Sequence, residues 1–152
     1  MLIELAAVQD AEEILRLQKL AFRSEAAFYN DFTIPPLVQT IESMKQDIEN
    51  KIVLKLTIDG VIIGSVRGYV KDKTGYIGRL FVQPEYQNKG IGSLLMQAVE
   101  EKLKSAQAGR YELFTGDRSE RTIRLYQKLG YSIFRKQPEH EHSIVYMEKP
   151  VG

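Results

Sequence analysis

Ile52, Leu54, Leu56 and Ile58 alternate with Val53, Lys55 and Thr57, the period of two that marks a strand. Asp59-Gly60 closes a hairpin onto a second apolar run, Val61 to Val70. Lys71-Asp72-Lys73-Thr74-Gly75 is the next turn, and the strand after it ends in Leu80-Phe81-Val82. Three antiparallel strands therefore occupy the middle of the chain. On both sides the period lengthens to three and four. Ile14, Leu17 and Leu20 share one helical face behind Asp10 and Glu13, a capping-box-like pair. Thr40 caps a second helix whose Ile41, Met44 and Ile48 face inward, and Ile91, Leu94, Leu95, Ala98, Val99 and Leu103 define a third. Between the first two lies an aromatic stretch, Phe28 to Leu37, whose Pro35-Pro36 continues no helix and pairs poorly in a sheet, so it reads as a loop. Leu2 to Ala7 is a first strand and Tyr111 to Thr115 a later one; Ser119 to Leu129 is a helix stopped by Gly130. Tyr131 to Lys136 and Ser143 to Glu148 are the last strands. The order β-α-α-β-β-β-α-β-α-β-β predicts an α/β fold with a mixed sheet and helices on both faces.

The junction from strand to third helix carries the chemistry. Residues Gly75 to Ser93 run from an apolar strand through a turn into Gly90-Ile91-Gly92 at the helix start. Glycine lets a ligand approach the main chain, and the first amides of a helix favour an anion, so a phosphate is the natural partner. Two phosphate loops are excluded: there is no Gly-x-x-x-x-Gly-Lys-Ser/Thr, and Leu95 stands where Gly-x-Gly-x-x-Gly requires glycine.

Gln87-Asn88-Lys89-Gly90-Ile91-Gly92, after the strand Leu80-Phe81-Val82, resembles the Gln/Arg-x-x-Gly-x-Gly/Ala signature of the GCN5-related N-acetyltransferase (GNAT) superfamily. A second segment, Ser119 to Tyr131, is similar to that family's later helix with its Leu-Tyr-x-Lys-Leu-Gly-Tyr/Phe ending. The two motifs stand in the family's order, and the resemblance covers nearly the whole chain. It implies a GNAT-type, mostly antiparallel sheet and transfer of the acetyl group of acetyl-coenzyme A directly to an amine. The pyrophosphate would meet amides between Gln87 and Ser93, with Gln87, Asn88, Lys89, Gly90, Ile91, Gly92 and Ser93 in the loop and Lys89 adding charge. Leu80, Phe81 and Val82 would give main-chain contacts to the pantetheine arm. Ser119 stands where the family often carries an Asn that touches the cofactor; its ordinary role is a helix N-cap.

Composition narrows the partners. The 152 residues suit one compact domain, 1–152, and 21 basic against 20 acidic residues leave a net charge of +1, which gives no global attraction for nucleic acid or anionic membrane. The absence of cysteine removes disulfides, thiolate metal sites and a cysteine nucleophile. No signal-like N-terminus and no run of about 20 apolar residues is present, so a cytoplasmic location is expected.

By the resemblance, Tyr126 is the general acid that protonates the departing thiolate, a phenol being protonated at neutral pH; Tyr131 is a strand-leading core aromatic. No residue declares itself the general base. The central strand offers Tyr76 and Arg79 in place of a carboxylate, leaving Glu112, Asp117, His140 and His142 to weigh. His140-Glu141-His142 lacks a third spaced ligand, so no metal is expected. The family builds its acceptor cleft from the N-terminal third, where Phe28, Tyr29, Asp31, Phe32, Ile34 and Pro35 would wall it and Asp31 or Glu25 would attract a cationic amine. The other role for that apolar stretch is to cover the core or make a homodimer contact. Two functions remain: an acetyl-coenzyme A-dependent N-acetyltransferase acting on a small molecule or protein amine, and a non-catalytic acyl-coenzyme A sensor.

Overall fold

The computed structural model describes residues 1–152 as a seven-stranded sheet in the order β1-β2-β3-β4-β5-β7-β6. The strands are β1 (Leu2–Leu5), β2 (Ile52–Ile58), β3 (Val61–Lys71), β4 (Thr74–Val82), β5 (Arg110–Gly116), β6 (Ser132–Pro138) and β7 (Ser143–Pro150). Every pairing is antiparallel except β4 with β5. The helices are α1 (Ala11–Tyr29), α2 (Pro35–Val38), α3 (Ile41–Asn50), α4 (Ile91–Ser105) and α5 (Glu120–Lys128). The expected order holds with one short helix added.

Strand alternation sends neighbouring side chains to opposite faces. Val53 and Ile62 face Ile14, Leu17 and Met44 of α1 and α3; Leu54 and Ile63 join Leu95, Met96, Val99 and Leu103 of α4 on the other side. Both layers exclude water, and truncating a fully buried residue such as Leu95 to alanine would cost about 2–5 kcal/mol. Asp59 and Gly60 both have positive φ, as a tight two-residue hairpin requires; Asp72 and Lys73 make the next turn in the same way, shorter than the five residues expected. Thr40 caps α3, its hydroxyl accepting from the Ser43 amide at 3.1 Å.

Four expectations are corrected. Phe28 and Tyr29 form the last turn of α1, which ends at Asn30 in the left-handed conformation, and Pro35-Pro36 opens α2, because a proline at the first helical position forfeits no bond. Leu20 is exposed, since α1 buries Ala11, Ile14, Leu15, Leu17 and Gln18 on a face that leaves it outside. Asp10 accepts from the Ala7 amide at 2.8 Å and caps a single 3-10 turn, Val8–Asp10, whereas Glu13 pairs with Arg16. Ser119 stands at the N-cap of α5 without capping it, because its hydroxyl is bonded to Tyr29.

Two irregularities open the sheet. Parallel pairing of β4 with β5 stops after Tyr76 opposite Glu112, so the rest of β4 has no strand on that side. One extra residue also enters β4 between the partners of Ser65 and Arg67, and there Arg79 adopts φ +58°. Such a bulge bends a strand and re-aims its side chains.

Candidate functional site

A cavity of about 1020 Å³ lies over the splayed end of β4. Gly90 caps α4 with φ +81°, a conformation costly for any side chain, and the space beyond its Cα is open. The amides of Ile91, Gly92 and Ser93 have no carbonyl a turn earlier to receive them, because the first intrahelical bond runs from Leu94 to Gly90. They face a cavity lined by Gln87, Asn88, Gly90, Ile91, Gly92 and Ser93. This is a positive, amide-rich cradle of the kind that binds phosphate.

Leu80, Phe81 and Val82 form the adjoining wall. The Gln83 amide donates to Ile63 across the β3 side, so by alternation the Val82 main chain turns to the open side. There its carbonyl already accepts from Gln87 Nε2 at 3.1 Å, which pins the loop to the strand end. Lys89 does not line the cavity; its ammonium lies 5.6 Å from the Tyr86 ring. Arg118, Arg121 and Arg124 bring positive charge from the opposite wall, and Arg121 donates to Asn88 Oδ1 at 2.9 Å across the mouth. Sequence reasoning passed over these arginines. Their spacing of three around the start of α5 is the signal that could have found them.

A second cavity, about 450 Å³, lies beneath the first, and both are lined by Phe22, Glu25, Leu80 and Thr122. Tyr126 lines the lower one; its side chain is buried and its hydroxyl has no protein partner. Burial, and then the charge of Glu25, push its pKa well above that of an ordinary phenol. Tyr131 turns away, donating to Glu100 Oε2 at 2.7 Å. Burial alone raises the pKa of Glu25.

Of the residues expected at the acceptor, Tyr29, Asp31, Ile34 and Pro35 line the lower cavity, Phe28 lines the upper one, and Phe32 lines neither. The Tyr29 hydroxyl accepts from the Arg118 amide at 3.0 Å, lies 2.8 Å from Ser119 Oγ, and fits closely over Gly116, where any side chain would collide with it. Asp31 holds Thr33 through its Oδ1 at 2.6 and 2.9 Å, and those bonds keep its pKa below the usual carboxylate value. Glu112 is paired with Arg110 at 2.9 Å, and Asp117 accepts from the Ser143 amide. The His142 ring packs on Tyr29 with 4.7 Å between centroids. No group of three or more metal-ligating side chains is assembled.

The floor of the lower cavity is a buried polar cluster. Arg67 donates to Gln18 Oε1, Gln39 Oε1 and Asp47 Oδ2 at 2.5, 3.2 and 2.7 Å, and Lys51 lies 3.3 Å from Asp47 Oδ1. Arg79 donates to Gln39 Oε1 at 3.1 Å.

The sequence model of the Acetyltransferase (GNAT) family matches residues 11–131, most of the chain. The chain belongs to the GNAT family. S-alkylcysteine N-acetyltransferase of Bacillus subtilis is 27% identical over 97% of this chain and 88% of that one. A higher identity, 39%, to Bacillus subtilis YdhI spans only 47% of this chain and 44% of YdhI. Among solved structures, the PaiA N-acetyltransferase of Thermoplasma acidophilum in complex with coenzyme A superposes with a TM-score of 0.83 at 17% identity, covering 99% and 98% of the two chains. YncA of Salmonella typhimurium with acetyl-coenzyme A gives 0.80 at 17%, covering 99% and 93%. The fold is shared with these GNAT structures. No helix is long and apolar enough to cross a membrane.

Proposed function

We propose that this GNAT protein transfers the acetyl group of acetyl-coenzyme A directly to a primary amine. One observation carries the reading: an amide-lined phosphate cradle and an acid-base cavity meet at Glu25, Leu80 and Thr122, with Tyr126 beside the junction. The phosphates would lie on the amides of Ile91, Gly92 and Ser93, with Arg118, Arg121 and Arg124 opposite. The free edge of β4 offers main-chain donors for the pantetheine arm and for charge developing on the carbonyl oxygen.

Glu25 is the base that receives the amine proton, and Tyr126 supplies the proton that leaves with sulfur. A C–N bond forms, a C–S bond breaks, and one proton is taken up for each one given. The two groups are coupled. Tyr126 is a poor acid while Glu25 is ionised, because burial, and then the carboxylate charge, hold the phenol protonated. Once Glu25 has taken the amine proton it is neutral, and Tyr126 becomes a better donor at the moment the thiolate needs one.

The acceptor is a small-molecule or protein amine. Relatives of both kinds share the fold or parts of the sequence: one acts on S-alkylcysteine, another is the ribosomal-protein-S18-alanine N-acetyltransferase of Escherichia coli. Calorimetric titration with acetyl-coenzyme A tests the cosubstrate, with Gly90→Glu as the blocked control. Release of coenzyme A thiol across a panel of amines tests the reaction. Binding without any turnover would leave a sensor; no binding would remove the enzyme reading.

A further inference from the structure

The lower cavity holds more charge than acetyl transfer to an amine requires. Asp47 is fully engaged, with Oδ2 accepting from Arg67 and Gln39 and Oδ1 facing Lys51, while Glu112 is held by Arg110. Arg79 is left with one neutral partner, the Gln39 oxygen that Arg67 and Gln18 also use, and with no carboxylate. Arg67, 5% exposed, sits next to it with its Nε unbonded, so two guanidinium groups share one acidic residue. Burial, then repulsion from Arg67, lowers the Arg79 pKa to about 10, which still leaves it charged at neutral pH. A cation in such surroundings costs energy unless an anion joins it.

The main chain is bent to put it there. Arg79 is the extra residue of the β4 bulge, and its positive φ, unusual outside glycine, is a strained conformation. The bulge brings Gly78, Arg79 and Leu80 together to the cavity wall. At the same wall Glu25 is in no salt bridge, and burial raises its pKa. One cavity thus presents an unpaired cation and an unpaired anion that do not neutralise each other.

We infer that the acceptor is a small amino carboxylate, whose carboxylate is bound by Arg79 at the Arg67 end of the lower cavity while its amine meets Glu25. The inference rests on the acetyltransferase reading for the amine end alone; the carboxylate subsite stands on the cluster itself. Arg79 presents its remaining N–H groups for charge-assisted bonds to the two carboxylate oxygens. Aromatic and aliphatic neighbours, Tyr69, Tyr76, Ile34 and Pro35, surround the rest of the molecule and would take an apolar side chain.

The test has a catalytic and a binding arm. In the first, the twenty common amino acids are compared with their decarboxylated counterparts, such as L-methionine against 3-(methylthio)propylamine and L-leucine against isoamylamine, by release of coenzyme A thiol. The amino acids that turn over are expected to exceed their counterparts about 10²-fold in kcat/KM, and Arg79→Gln to abolish that preference through KM, with Arg79→Lys restoring part of it. Equal rates for the paired compounds, or a preference that survives Arg79→Gln, would overturn the proposal. In the second, the same amino acids are titrated by calorimetry into protein loaded with coenzyme A. Binding lost in folded Arg79→Gln supports the subsite even where no acetylation occurs, a result that would count against the acetyltransferase reading alone. Failure of every amino acid to bind would overturn the subsite even if simple amines are acetylated.

Discussion

The upper cavity is built from main chain and the lower one from side chains. The upper is more than twice as large, about 1020 against 450 Å³, and its central residues are close in sequence: β4, its turn and the first turn of α4. What it offers an anion is amides, which any residue provides once the backbone has the right path, with Arg118, Arg121 and Arg124 adding charge from the opposite wall. The lower cavity gathers Glu25 from α1, Asp47 from α3, Arg67 and Arg79 from β3 and β4, and Tyr126 from α5. Here each position needs its own side chain, held by partners far away in sequence. A ligand gripped by backbone leaves the side chains free to vary; one gripped by side chains has its chemistry written in them.

The largest effect should come from the junction of the two regions. Glu25→Gln keeps the shape and removes the base, so kcat/KM should fall about 10³-fold, and the rising limb of its pH profile should disappear. In the native protein that limb should lie above the ordinary glutamate range, because burial raises the Glu25 pKa. Steady-state rates from pH 5 to 9 check this, and an unchanged profile would pass the role of base to another group.

Next is a change in the floor of the lower cavity. Asp47→Leu strands Arg67, which is 5% exposed and already has an unbonded Nε, and should destabilise the fold by about 3 kcal/mol in urea titration. Burial works against the Asp47 charge, but bonds from Gln39 and Arg67 and the nearby Lys51 outweigh it, so its pKa is lowered. That stabilisation is present above the unfolded value of about 3.8 and is lost as pH falls through the folded one. A loss below about 1 kcal/mol would mean the cluster is dispensable to folding.

Gly90→Glu and Tyr126→Phe then separate binding from chemistry. The first sets a carboxylate into the open space before α4 and should weaken acetyl-coenzyme A binding about 10²-fold by calorimetry. The second should lower kcat about 10²-fold while leaving that affinity within a factor of about three. If Gly90→Glu binds normally, the amide cradle is not the phosphate site; if Tyr126→Phe turns over normally, the phenol only packs.

How much of this was readable from sequence follows the same division. The glycine turn into α4, the α4 stripe and the hairpin at Asp59-Gly60 are local patterns, and all are legible in the chain. The residues of the buried cluster carry no local signal: Gln18, Gln39 and Asp47 look like polar positions on helix surfaces or in loops until tertiary packing brings them to Arg67. Arg79 reads as a strand residue without the desired carboxylate; Gly78 beside it hints at a bulge, but the bulge itself depends on register with β3. Phe28 and Tyr29 read as loop because Pro35-Pro36 signals a break; the break lies at Asn30, five residues earlier.

The smallest expected effect bears on whether Glu25 is a working group or a structural one. A carboxyl whose pKa is raised by folding binds a proton more readily in the native state than in the unfolded one. Its contribution is therefore greatest at low pH and declines as pH rises from the unfolded value of 4.5 through the folded one. Once ionised, Glu25 leaves the folded protein with a partly desolvated carboxylate in no salt bridge, an arrangement that costs stability. Glu25→Gln should accordingly be slightly more stable than the native protein at pH 8 and lose that advantage near pH 4, as followed by urea titration at the two pH values. Equal stability at both would mean that a counter-charge reaches Glu25, and its availability to an incoming amine would have to be given up.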